Sequence, residues 1–469
     1  MRELNSSVAP PPVGAGAQAV LRRYNRRADA PAAQDPEIHR LADLLLRLGD
    51  VLVSCGASTS DVEAAVIAAA NALGVPRTEV DITFNAVTVT LLRDDGPPVT
   101  QVRVVRQRSA SYDRLAKVHS LLVDLVDNGI TRREASVRLS EVEAKKPDYP
   151  RWLVSLAWGV LAAAVTQLLG GTFLVAAIAF GSTVVVDQLG RLMRRAGWPD
   201  FYLQVVGGFV VTLIAAGLTA ADVSIRPSLV VVGGIIVLLA GLGIVATVQD
   251  ALTGFVVTAA GRGVEVALMT AGIIAGVSLA LLLARRLEIS MGILPPETSA
   301  LVDIPLRTVA AAIGAASFAI AYQTPRRLLV PCAAIGALSF VTWYAMQQSV
   351  GASALSAATA AVVVGLAAHV IALRLHAPPL VVVVPGLVLL LPGVAIYRGL
   401  LLLNDGATAD GIVSMIQAGT IGLALAAGVL VGEILGQPVR RELNRVERRF
   451  ARPRMVGPAR MRIQRRQSG

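Results

Sequence analysis

Apolar positions fall into two regimes along the chain. Between residues 36 and 147 they recur at helix or strand periods among charged residues, and from 152 to 436 they fuse into long runs. In the first regime Leu41, Leu44, Leu45, Leu48 and Leu52 share one helical face, and Gly56 stands where a left-handed cap is wanted. Ser60 with Glu63 reads as a capping box opening a second helix, with Val62, Val66, Ala69 and Leu73 on its inner face and Gly74 and Pro76 ending it. Glu79 to Leu92 alternates as a strand with Val80, Ile82 and Phe84 on one side. The phase flips after Ala86, which predicts a bulge or tight turn near Asn85. Turn chemistry from Asp94 to Pro98 leads into a strand from Val99 to Val105. Two more helices follow, one lined by Leu115, Val118, Leu122 and Leu125 up to Gly129, the other capped by Thr131 with Glu134 and running to about Lys145. Residues 36–147 therefore read as a small soluble α/β domain.

Beyond the Pro147–Pro150 linker the pattern predicts ten membrane spans, near 152–170, 172–190, 201–220, 229–248, 264–284, 304–323, 328–346, 354–373, 380–400 and 412–435. Each is close to the ~20 residues that cross a bilayer as a helix. Moved forward by 152 positions, the first five fall on the last five. Gly234 and Gly241 land on Gly386 and Gly393, and Val230 to Val232 land on Val382 to Val384. The ninth run is broken by Pro385-Gly386 and again by Pro392-Gly393. Such breaks free backbone groups that hydrocarbon cannot satisfy, so they must face protein, water or solute. The fold class is thus a polytopic α-helical membrane protein. Repeat 1 covers 152–284 and repeat 2 covers 304–436; because five is odd, the second enters from the opposite face. Paired broken spans in an inverted repeat are the architecture of a solute carrier.

Composition sharpens this picture. The chain of 469 residues is 54% hydrophobic and 16% charged, with a net charge of +11. Much of that surplus is a basic tail over 437–469, where eleven arginines from Arg440 to Arg466 face only Glu442 and Glu447. Arg191, Arg194, Arg195, Arg326, Arg327 and Arg374 join the tail on one side, against Arg226, Arg285 and Arg286 on the other. Lys/Arg bias then places both termini and the α/β domain in the cytoplasm of a multi-pass protein of the cell membrane. The basic face is expected to meet anionic lipid, and no nucleic acid is expected. Residues 1–35 read as a disordered lead without a secretory signal. Cys55 and Cys332 fall in different compartments and are expected as free thiols.

No phosphate-binding loop, dinucleotide fingerprint or Cys/His metal spacing occurs in the sequence. No cofactor and no enzymatic activity is expected. The ionisable residues at membrane depth are Asp187, Asp250, Arg262, Glu265, His369, Arg398 and Glu433. Asp187, Arg398 and Glu433 lie near span ends, where snorkelling to water explains them; His369 fits an interhelical hydrogen bond. Gln249-Asp250 followed by Arg262 and Glu265 directly after the first broken run is the sharper constellation. Arg262 and Glu265 are three apart and share a helix face, so they can compensate one another while pointing at a site or tying two spans together. Helix N-termini following Gly241 and Pro392-Gly393 can hold a carboxylate, and Asp250 or Glu265 an ammonium or a proton. Tyr397 offers a hydroxyl, although an aromatic there also suits an interfacial anchor. The expected substrate- and proton-binding set is therefore Gly234, Gly241, Asp250, Arg262, Glu265, Pro385, Gly386, Pro392, Gly393 and Tyr397.

The segments LLRLGDVLVSCGASTSDVEAAVIAAANALGV and LAKVHSLLVDLVDNGITRREASVRLSEVE, the Tyr149-Pro150-Arg151-Trp152 approach to the membrane, Gly170-Gly171 and the Leu391-Pro392-Gly393 break resemble the threonine/serine exporter (ThrE) family, from about Leu41 to Leu435. This resemblance implies a ten-span inner-membrane exporter of small hydroxy amino acids, driven by the proton motive force, with a cytoplasmic N-terminal domain. The chain departs from the family pattern in Ala240-Gly241, where Pro-Gly is expected, and in its arginine tail. Two other readings stay open: a small dicarboxylate transporter of the same architecture, and a membrane-tethered hydrolase built on the α/β domain. Ser54, Ser58, Thr59 and Ser60 sit at a helix junction where capping accounts for them, which favours a gating or sensing domain over a catalytic one. The oligomeric state is open.

Overall fold

A computed structural model describes residues 36–92, 97–106, 111–223, 225–235, 238, 241–289, 304–404 and 406–450. The expected lead over 1–35, the turn at 93–96 and the tail beyond Phe450 lie outside the described residues.

The N-terminal domain consists of α1 (Pro36–Ser54), α2 (Thr59–Ala72), β1 (Thr78–Thr83), β2 (Ala86–Leu91), β3 (Val99–Val104), α3 (Tyr112–Asp127) and α4 (Arg132–Ala144). The strands form one antiparallel sheet in the order β1-β2-β3. The phase flip in the sequence is a two-residue hairpin turn, Phe84-Asn85, with Thr83 opposite Ala86 and Phe84 in the left-handed region at φ 52°. The α2 cap differs from expectation. Ser58, not Ser60, is the N-cap, because its extended backbone (ψ 152°) lets its hydroxyl accept from the Asp61 N–H at 3.2 Å. Thr131 caps α4 as its spacing predicts, accepting from the Glu134 N–H.

Nine stretches among the described residues are long and apolar enough to cross a membrane. They are α5 (Arg151–Leu168), α6 (Phe173–Arg195), α7 (Asp200–Ala220), α10 (Val256–Arg286), α11 (Ile304–Ala321), a 3₁₀ turn with α12 (Leu329–Val350), α13 (Ser353–Leu375), a run holding α14 (Leu380–Leu387) and α15 (Gly393–Asn404), and α16 (Thr408–Phe450). The fourth expected span, 229–248, expected as a broken run, is described as α8 (Pro227–Ile235) and α9 (Gly241–Leu252), with residues 236–237 and 239–240 outside the described residues. The second break falls differently. Pro385 lies inside α14 without ending it, and the chain leaves helix only at a 3₁₀ turn (Val388–Leu390) and an extended Leu391 before Pro392. Pro385 is in the second turn of an eight-residue helix, and helix resumes only after Pro392. α16 runs past the expected span end at 435 to Phe450.

The packing order of the first five spans recurs in the last five. α5 packs on α6 as α11 does on α12, α7 on α10 as α13 on α16, α6 on α8 as α12 on α14, and α9 on α10 as α15 on α16. The close approaches recur as well. A Cβ at Gly276 would strike the Val205 carbonyl, and one at Gly428 the Ala358 carbonyl. A Cβ at Gly234 would meet Val211 and Ser182, and one at Gly386 would meet Val364 and Ile335. With few large side chains at these crossings, backbone-to-backbone contact through glycine holds the helices together. The halves meet where α5 lies on α11 and α9 on α16.

The N-terminal domain is seated on the membrane helices, and one apolar cluster runs from Leu45, Leu48 and Val118 through Leu161 and Val165 to Phe318, Val381 and Val384. The first N–H groups of α3, at Tyr112 and Asp113, donate to the Tyr322 and Gln323 carbonyls beyond α11 at 2.9 and 3.0 Å. Two sets of helix-end groups thereby satisfy each other. Tyr112 stacks on Tyr322, and Tyr322 on Phe318.

Replacing Gly276 by Ala is expected to lower stability by about 1–3 kcal/mol through overpacking. Gly217→Ala on α7, where nothing lies within 4 Å of the added carbon, is expected to be neutral or to stabilise by about 0.5–1 kcal/mol. Thermal unfolding of the two detergent-solubilised variants beside the parent checks this pair.

Candidate functional site

The centre of the site is an ion pair inside the membrane part. Asp250, near the end of α9, is fully buried, and its Oδ2 lies 2.7 Å from Arg262 Nη1 on α10. Gly254, at φ +96°, turns the chain between the two helices so that they lie side by side. The other Asp250 oxygen, Oδ1, accepts the Thr59 backbone N–H at 3.1 Å. Thr59 is the first residue of α2, so the positive end of an N-terminal-domain helix points at a carboxylate within the membrane part. A buried charge pair is tolerated where further hydrogen bonds satisfy it, and removing one partner costs about 3–5 kcal/mol.

A cavity of about 490 Å³ opens beside this pair. Arg262 and Glu265 line it from α10, Gln249 from α9, Asp187 from α6 and Gln204 from α7. Leu238 and Gly243 border it from the first broken span, and Leu380, Val384 and Leu387 from α14. A further wall is the α1–α2 turn of the N-terminal domain, Ser54, Cys55, Gly56 and Ser58, with Tyr112 and Tyr322 beside it. The Gln204 side-chain carbonyl is buried without a hydrogen-bond partner among the described residues, and such an acceptor favours a ligand donor. Asp187 pairs with Arg191 at 3.0 Å. Glu433, on α16, approaches the Gln249 amide at 3.5 Å. Asp61, in the first turn of α2, is exposed, with protein packed around it. Burial by the surrounding protein raises its pKa most, the Ser58 hydroxyl counters this, and the Asp250 charge adds to it.

The expected site residues separate into two groups. Arg262 and Glu265 line the cavity and Asp250 stands behind Arg262; Gly241 and Gly393 are the first described residues of α9 and α15. Gly234 and Gly386 do not line it. They are the packing glycines described above, since small residues are needed where spans cross. Pro385 and Pro392 are buried in helix contacts, and Tyr397 is buried in the apolar cluster around Val211 and Val230 rather than at an interface. His369 lies on α13 against Gly436, and Arg398 is exposed. Sequence reasoning missed Gln204, and it assigned Asp187 to a span end. Gln204 is a polar side chain inside an apolar run, and that was its available signal. Nothing in the linear pattern brings the α1–α2 turn to the cavity.

The family described as "Putative threonine/serine exporter" (ThrE) matches residues 43–284, and a second, "Threonine/Serine exporter, ThrE", matches residues 307–435. The chain is 33% identical over 434 residues to the "Probable threonine/serine exporter" of Mycobacterium tuberculosis, covering 90% of this chain and 81% of that protein. It is 32% identical over 417 residues to the "Threonine/serine exporter" of Corynebacterium glutamicum, covering 86% and 84%. The "Probable succinate transporter subunit YjjP" of Escherichia coli is 23% identical over 239 residues, 51% of this chain and 92% of that subunit. No solved structure matches the chain. With both family matches and long alignments at this identity, the chain belongs to the threonine/serine exporter family.

Proposed function

We propose that this protein is a secondary exporter of threonine, serine or a similar small amino acid across the cytoplasmic membrane, driven by the proton gradient. The observation that carries the reading is the cavity lined by Arg262 and Glu265, with buried Asp250 behind them, in a chain of this family. A zwitterion presents one anion and one cation about a carbon apart. Arg262 offers a planar donor fork to the carboxylate, and Glu265 an acceptor to the ammonium. The Gln204 amide carbonyl is a partner for the side-chain hydroxyl. Glu265 is the proposed proton carrier, since a carboxylate that faces both solute and water-accessible space can exchange solute for proton. The recurrent packing and close glycine contacts support two repeats of opposite orientation, in which rocking of one half on the other exposes the cavity to alternate sides. The arginine distribution supports cytoplasmic termini.

The direct test is efflux of labelled threonine from proteoliposomes with and without an imposed proton gradient. Gradient-dependent efflux is expected in the parent, and Glu265→Gln is expected to lose the gradient dependence. Efflux that ignores the gradient in the parent sinks the coupling. Competition by succinate but not serine would move the substrate to the dicarboxylates suggested by the distant YjjP relative.

Arg262→Gln leaves Asp250 as an uncompensated buried charge and is expected to destabilise the protein by about 3–5 kcal/mol. The double variant Arg262→Gln/Asp250→Asn is expected to recover most of that stability while transport stays at least about tenfold down, the equivalent of losing one charged hydrogen bond. Recovery of transport along with stability would reduce the pair to a structural role.

A further inference from the structure

The cavity is closed on one side by a different domain. The α1–α2 turn contributes Ser54, Cys55, Gly56 and Ser58 to its lining. The same turn is tied down by the single backbone bond from Thr59 to Asp250 at 3.1 Å. Both ends of that bond are out of solvent, Thr59 at 1% exposure and Asp250 at 0%. The positive end of α2 and the Arg262 guanidinium thus converge on one carboxylate, which couples the soluble domain to the cavity wall. A second anchor lies to one side. Thr258 Oγ1, on α10, donates to the Ile82 carbonyl at 2.9 Å and accepts the Phe84 N–H at 3.1 Å, and the Phe84 ring sits where a Cβ on Gly261 would be. The hairpin tip and the α1–α2 turn therefore both rest on the α9–α10 pair that carries Asp250, Arg262 and Glu265.

We propose that the turn from Ser54 to Thr59 is a removable wall of the solute site, with Asp250 as the positioning residue that seats it. The inference rests on the reading of this cavity as the solute site. Solute reaches Arg262 and Glu265 from the soluble-domain side only when the turn lifts off Asp250, and a bound solute touches the turn when it is seated. The α/β domain is then part of the binding site.

Cys55 is a native reporter within this wall. It is 1% exposed, and burial pushes its thiol up from its ordinary value, so it reacts slowly while the wall is seated. With Cys332→Ala, Cys55 is the one thiol left in the chain. Labelling by a charged maleimide is followed on the full-length protein in nanodiscs, where both faces are accessible. Thr59→Pro removes the donor N–H and, with it, a buried side-chain hydroxyl that has no hydrogen-bond partner among the described residues. Proline is well tolerated at the first position of a helix, and the extended backbone of Ser58 already suits a following proline. Thr59→Pro and Asp250→Asn are each expected to speed Cys55 labelling by roughly ten- to a hundredfold, the effect of losing or weakening a hydrogen bond to a charged group. Saturating threonine is expected to slow labelling of the parent. Unchanged rates in Thr59→Pro, with an intact size-exclusion profile, overturn the seating role, and this variant decides the matter if Asp250→Asn does not fold. Threonine binding is measured in the same preparation by calorimetry. Binding without protection of Cys55 overturns the wall. Absence of binding overturns the substrate reading instead, and Thr59→Pro alone then supports or overturns the seating.

Discussion

The structure turns on a carboxylate placed where water cannot reach it. Asp250 is fully buried and is held by two partners of different origin, the Arg262 guanidinium and the Thr59 backbone N–H. Stripping water from an ionised carboxylate is expensive, and an isolated one would neutralise instead. Its two partners make the buried charge tenable. Because one of them belongs to the N-terminal domain and the other to the next helix, the same electrostatic requirement fixes the α9–α10 pair and the seat of that domain.

Around that point the protein solves a second problem, the backbone of the interrupted spans. At Leu238, between α8 and α9, and at the residues between α14 and α15, peptide groups leave the helical pattern inside the membrane part. The Leu238 N–H reaches the Ile235 carbonyl at 2.8 Å and the Gly393 N–H the Leu391 carbonyl at 2.8 Å, so tight turns satisfy part of this demand. The cavity lies beside the first break, and its far wall includes α14. Among the described residues of the two breaks, Leu238 borders the cavity and Pro392 is buried. The glycines that attract notice in the sequence serve a different end, bringing spans into backbone contact.

The N-terminal domain repeats the same economy of helix ends. Its α3 N-terminus meets carbonyls just beyond α11, and its α2 N-terminus meets Asp250. Each contact satisfies groups that would otherwise be buried unpaired, and the apolar cluster continuous from Leu45 to Phe318 adds non-directional attachment. A domain docked in this way is placed to respond to what happens in the cavity.

Hydrophobic period located helices in both parts, its change of phase a bulge or tight turn near Asn85, and the Thr131/Glu134 spacing the Thr131 cap, because these depend on residues a few positions apart. The 152-position correspondence of the apolar runs is a property of order along the chain, and α7 packs on α10 as α13 does on α16. Asp250, Arg262 and Glu265 were singled out because charge within apolar runs is costly wherever the spans end up. What the chain order could not contain was partnership across distance. Arg262 and Glu265 are neighbours on one helix, yet the partner that fixes Arg262 at 2.7 Å is Asp250, on the preceding helix. Gly234, Gly386 and Pro385 carried the mark of a binding break, but only helix crossing decided that the two glycines pack and that Pro385 stays helical. The meeting of Thr59 with Asp250 joins residues 191 positions apart. No local rule predicts it, because it exists only once two domains have each satisfied their own helix ends and closed on one another.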